Sequence, residues 1–132
     1  MRRPTWAADL HTYLSSHLDT PFQWGTFDCC IFAAGICTSI CGVDPMKPYY
    51  GRYSTEYEAK RLILKEPGSL EAVWDACFTR INPLNAQRGD IVAFTGPQGL
   101  SMGVIWANSI FATSDSGITR INVTPVLAWR VE

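Results

Sequence analysis

Apolar and polar positions change period once along the chain, and the change falls near residue 87. Before it, the spacing is helical. Trp6, Leu10, Tyr13, Leu14 and Leu18 recur at steps of three and four, predicting a first helix of about a dozen residues. Thr5 is its expected N-cap and the Asp19-Thr20-Pro21 turn its end. A second helix, from about Cys29 to Ile40, is apolar almost all round, as a central buried helix should be, and Gly42 stops it. Residues 43 to 54 are rich in Pro, Gly and Tyr and read as an ordered loop pinned by aromatic rings. Ser54 or Thr55 caps a short helix from Glu56 to Lys65, which Pro67-Gly68 ends. Ser69 opens another, running to about Phe78, before Asn82-Pro83 breaks the pattern.

From Gln87 the pattern is that of strands. The Gln87-Arg88-Gly89-Asp90 turn leads into Ile91-Val92-Ala93-Phe94, and Gly96-Pro97-Gln98-Gly99 turns back into Met102 to Trp106. Ala107-Asn108-Ser109 is a tight turn into Ile110 to Thr113; Asp115-Ser116-Gly117 turns into Ile118 to Val123, and Leu127 to Val131 closes the chain. Four or five short strands joined by short turns predict an antiparallel meander. Helices first and strands afterwards predict an α+β fold, N-terminal helices followed by a small antiparallel sheet. No internal repeat or domain boundary interrupts the pattern, so residues 1–132 read as one domain.

Composition narrows the partners. The apolar share of 47% and charged share of 17% belong to a folded protein rather than a disordered one. A formal net charge of -1 gives nucleic acid or an anionic membrane no electrostatic handle. Met1-Arg2-Arg3-Pro4 is basic, but the polar Asp9 and His11 soon follow where a signal peptide needs an apolar run, and no stretch approaches the roughly 20 apolar residues of a membrane span. The expectation is no signal peptide, no membrane span and no nucleic acid.

The five cysteines include no CxxC pair. Cys30, Cys37 and Cys41 share a stripe of the second helix with Ala33, Ala34 and Ile40, which reads as packing. A metal or iron–sulfur site through Cys30, Cys37, Cys41 and Cys77 is the alternative, but aligned thiols on one helix face make poor tetrahedral ligands. No cofactor and no metal is therefore expected. Cys29 differs from the others. In Gln23-Trp24-Gly25-Thr26-Phe27-Asp28-Cys29-Cys30 an aromatic-glycine turn runs into an acidic N-cap, and the thiol stands at the helix start. Free N–H groups and the positive end of the helix dipole favour its thiolate there. Asp28 is expected to accept from the N–H of Ile31, while its charge opposes the thiolate.

Three features resemble the NlpC-type cell-wall peptidases, small papain-like cysteine hydrolases. Trp24-Gly25 with Asp28-Cys29 is similar to their nucleophile motif, Arg88-Gly89-Asp90-Ile91-Val92 to their Gly-Asp turn into the first core strand, and Ser101-Met102-Gly103-Val104-Ile105 to the strand that follows. The likeness covers roughly residues 20 to 131 and implies a papain-like (NlpC-type) single domain. More narrowly, the chain resembles a family of small phage and prophage tail-gene proteins distantly related to those peptidases. Phe22-Gln23-Trp24-Gly25 with Asp28-Cys29, Gly42-Val43-Asp44-Pro45 with Gly51-Arg52-Tyr53, Arg88-Gly89-Asp90 and the ending Ala128-Trp129-Arg130-Val131 carry that likeness. It implies a tail-tip or tail-assembly component whose partners are other phage tail proteins, located in the virion tail or in the host cytoplasm during assembly.

The resemblance places Cys29 at the nucleophile position, Ser101 where active members hold the catalytic histidine, and Ala112 at the third position, usually a polar residue that orients the imidazole. A thiol without its base loses both a route to thiolate and the acid that protonates the leaving amine. The expectation is a structural component whose catalytic set is degenerate; the alternative is an active cysteine peptidase or amidase that cuts peptidoglycan during phage entry. Three substitutes for the missing base are weighed. His17 lies twelve residues before Cys29, but both histidines, His11 and His17, read as surface or half-buried residues without a catalytic role. Ser101 can hydrogen-bond a thiol but is no base at neutral pH. Asp90 reads as the carboxylate that fixes its own turn, and the Arg88-Gly89-Asp90 tripeptide as a coincidental match to an adhesion motif. The tyrosines of the loop, Tyr49, Tyr50, Tyr53 and Tyr57, offer a possible partner anchor.

Overall fold

The computed structural model describes residues 1–132. Helix α1 (Trp6–Ser16) and helix α2 (Cys29–Cys41) lie side by side, followed by α3 (Glu56–Lys65) and the short α4 (Leu70–Asp75). Six strands complete the α+β chain: β1 (Thr79–Ile81), β2 (Ile91–Gly96), β3 (Gly99–Trp106), β4 (Ser109–Ser114), β5 (Gly117–Ile121) and β6 (Leu127–Arg130). All pair antiparallel, in the order β1-β6-β2-β3-β4-β5.

The caps follow local chemistry with one exception. Asp28 accepts from Ile31 N–H at 2.9 Å at the start of α2, and Thr55 and Ser69 cap α3 and α4. Thr5 does not cap α1; its hydroxyl donates to the Asp9 carboxylate at 2.8 Å instead. α1 meets α2 at Gly35, where the Tyr13 hydroxyl fills the space that a Cβ would occupy at 2.1 Å.

The expected meander is present from β2 to β5, and the two-residue β3–β4 turn puts Ala107 and Asn108 both at positive φ. The last strand breaks it. β6 returns to pair with β2, and β1, between the expected end of the fourth helix and the Asn82-Pro83 break, where the pattern predicts no strand, pairs with β6 on the outer edge; the fourth helix itself stops at Asp75. Three residues are too few to show a period, and β1 exists only because β6 offers it an edge. The return of β6 is fixed by Asp90, which is fully buried. Its carboxylate accepts from Val131 N–H, Gln87 N–H, Arg130 Nε and Arg2 Nη2 at 2.9 to 3.2 Å, tying both chain ends to the β2 turn.

Strand alternation splits the sheet into two faces. Ile91, Ala93, Met102, Val104 and Trp129 join Leu10, Phe32 and Ile36 of the helices in a core of 22 buried residues. Val92, Phe94, Ile110, Ala112 and Ala128 form a second cluster on the opposite face. No helix is long and apolar enough to cross a membrane.

Candidate functional site

The site is built around the N-terminus of α2. Phe22 N–H donates to Ser114 O and Ile118 N–H to Leu18 O, so residues 18–22 are stitched to the β4–β5 turn. The chain then reverses through Gly25, whose φ of +79° suits glycine and whose Cβ position lies 2.3 Å from the Tyr53 carbonyl oxygen. Asp28 locks this reversal to α2. Besides Ile31 N–H, its carboxylate accepts from Gly25 N–H at 3.1 Å and from the Tyr53 hydroxyl at 2.5 Å, and the residue is 1% exposed. The Gly-Arg-Tyr stretch of the aromatic loop is thus a brace for the cysteine turn, and burial beside that carboxylate pushes the Tyr53 hydroxyl pKa well up. Of the other loop tyrosines, Tyr57 is exposed and Tyr50 donates to Asp44 at 3.0 Å.

The half-buried Cys29 then faces β3. The β3–β4 ladder runs from Trp106↔Ser109 only as far as Val104↔Phe111. Ile105 N–H donates to Asp90 O, so by the alternation of an antiparallel ladder Ala93↔Met102 is a non-hydrogen-bonded pair. The Met102 N–H therefore points away from β2, into the opening where β4 has separated, and acts on the Cys29 sulfur. The Cys29 thiol is held below its ordinary pKa. The largest cause is the Cys30 thiol donating to it; burial opposes, the Met102 N–H assists, the Asp28 charge opposes, and its own N–H assists. Cys30 carries the complementary shift, well upward, as donor to Cys29 and by burial.

Cys29 stands where two cavities meet. One, about 370 Å³, is lined largely by apolar side chains from the cysteine turn, α3, α4 and the start of β3, with Cys30 also on its wall. The other, about 330 Å³, runs along the second face of the sheet past Ala112, Thr113, Ser114, Asp115 and Thr119. Phe22, Cys29, Gln98 and Ser101 line both. A wider depression of about 790 Å³ lies elsewhere, between Asn108, Arg120 and Asn122, and no cysteine lines it.

The structure thus gathers Cys29, Ser101 and Ala112 around one cavity, three positions far apart in sequence. It brings no histidine there. His17 stacks on Phe27 at 5.0 Å between ring centroids, and His11 is exposed on α1, 6.4 Å from the Trp106 ring. Ser101 makes no hydrogen bond to the Cys29 sulfur, and Asp90 is committed to its four donors; its burial also removes the Arg88-Gly89-Asp90 tripeptide from presentation.

The helix cysteines gain one role beyond packing. The stripe packs as expected, with Ala33, Ala34, Cys37 and Ile40 buried and the half-buried Cys30 and Cys41 against the core, but Cys30 is also the partner of Cys29, a role the sequence reading missed although their adjacency was the available signal. The four-cysteine set also divides, because seven helical residues place Cys30 about 10 Å along the axis from Cys37. No group of three or more His, Cys, Asp or Glu side chains converges as metal ligands would. The buried Trp74 Nε1–H, without an oxygen or nitrogen partner, lies against the Cys37 sulfur.

Residues 1–131 match the family model described as a domain of unknown function, DUF6950, and the chain belongs to that family. No curated protein matches it.

Proposed function

We propose that this member of the DUF6950 family is a phage tail component, in the tail tip or acting on tail proteins during assembly, that keeps a papain-like (NlpC-type) cleft without a hydrolytic set. One observation supports the non-hydrolytic part above all. The cavity that holds Cys29 has Ser101 and Ala112 at the positions where a base and its orienting partner are needed, and neither histidine lines it. Loss of such partners costs several orders of magnitude in rate. The tail assignment is supported by the motifs quoted above; Tyr53 and Asp90 give those motifs structural work that does not depend on catalysis.

Two measurements test this reading. Peptide mass spectrometry of purified virions and of tail-assembly intermediates should find the chain in one or the other; absence from both sinks the tail assignment. Pure protein incubated with cell-wall sacculi should release no peptide fragments. The second reading, an active peptidase or amidase acting on peptidoglycan, is favoured by the lowered Cys29 pKa. Fragment release that disappears in Cys29→Ala would establish it.

A further inference from the structure

The two cavities that meet at Cys29 differ in chemistry, and the difference names a ligand. The first is walled by Phe22, Trp24, Ile63, Leu64, Leu70 and Leu100, with Lys60, Ser69 and Gln98 its main polar members. Lys60 is already paired with Glu56 at 2.5 Å. The second mixes apolar residues, Phe94 and Ile121 among them, with the hydroxyls of Thr113, Ser114 and Thr119, and Asp115 is its one carboxylate. A linear apolar chain seated in the first cavity reaches the sulfur at its end, while a polar head remains in the second. A hydrophilic peptide or sugar has nothing to pair with along the first wall, and its desolvation would go uncompensated.

We propose that Cys29 is a self-acylation site that takes a medium-chain aliphatic acyl group from an acyl thioester and retains it. The Cys29 thiolate attacks the carbonyl carbon, forming a new carbon–sulfur bond, and the donor's carbon–sulfur bond breaks. The departing thiolate takes up the proton that Cys29 released, so no oxidant or other reactant is needed. The Met102 N–H, turned away from β2 toward the opening at Cys29, is a donor for the developing oxyanion. Retention follows from what the cleft lacks. Hydrolysis needs a water activated by a base, and no imidazole lines either cavity. This inference is independent of the tail assignment, since the site lies within one chain.

The test uses the full chain with octanoyl and acetyl thioesters of N-acetylcysteamine, whose carbonyls have similar intrinsic reactivity. Intact mass and peptide mapping should place an octanoyl adduct on Cys29, formed at least about tenfold faster than the acetyl adduct. The adduct should persist for hours, be released by hydroxylamine, and be absent in Cys29→Ser. Ile63→Trp, which fills the apolar cavity, should abolish the preference for octanoyl. Equal rates for the two donors, acylation at the exposed Cys77 instead, or loss of the adduct within minutes would each overturn the proposal.

Discussion

Asp28 is the residue at which stability and thiol chemistry pull in opposite directions, and replacing it separates them. In Asp28→Ala the N-cap of α2 is lost, which costs about 1 kcal/mol, and the Tyr53 hydroxyl loses its acceptor in a buried setting, which costs about 1–3 kcal/mol. The sum is a destabilisation of about 2–4 kcal/mol, a large part of the roughly 5–15 kcal/mol that holds a domain folded. Asp28→Asn keeps one acceptor for Ile31 N–H and should lose about half as much. The Asp28 charge also raises the Cys29 pKa, so Asp28→Asn should lower that pKa further and speed iodoacetamide alkylation of Cys29 near neutral pH. Urea unfolding followed by tryptophan fluorescence reads the first effect, and mass-spectrometric alkylation rates read the second. An Asn variant that is as stable as the parent, or whose Cys29 reacts more slowly while α2 remains folded, would refute the reasoning.

Three further outcomes are expected. In a pH series of alkylation rates, Cys29 should react at lower pH than Cys77, although Cys77 is the exposed thiol, because the first is held below its ordinary pKa; the reverse order contradicts the site description. Asp90→Asn should cost about 2–4 kcal/mol in urea unfolding, since Arg2 and Arg130 lose the charge they surround, with the partial exposure of both arginines keeping the cost below that of a fully buried pair. Stability should fall above about pH 8.5, where thiols of the unfolded chain ionise. Burial holds Cys37 protonated in the folded state, so in that window the folded chain binds more protons than the unfolded one and rising pH favours unfolding. Cys37→Ala should flatten the slope, and an unchanged slope would assign it to other groups.

Much of this protein is determined by short-range pattern. The change from helical to strand period, the caps at Asp28, Thr55 and Ser69, and the thiol at the start of α2 all follow from neighbours within a few residues. Such features are legible because a cap or a helix face needs only local partners. The motifs were legible, and with them the local roles of Asp28 as cap and Asp90 as the carboxylate of its own turn, but their long-range contacts were not. That Gly-Arg-Tyr braces Asp28 across 25 residues, and that Asp90 gathers Arg2, Arg130 and Val131, depends on contacts between distant parts of the chain.

The site divides along the same line. A cysteine at a helix N-terminus, and the absence of histidine from every strand segment, are both legible in the sequence. The tertiary packing sets where β4 leaves β3, beyond Val104, freeing the Met102 N–H for Cys29, and it gives Cys30, packed against the core, that thiol as a partner. The same packing brings two cavities to the sulfur, one lined largely by apolar side chains and one that mixes apolar residues with hydroxyls. A period records which positions are apolar. Where two strands part, and what the gap faces, is set by the packing of the whole chain.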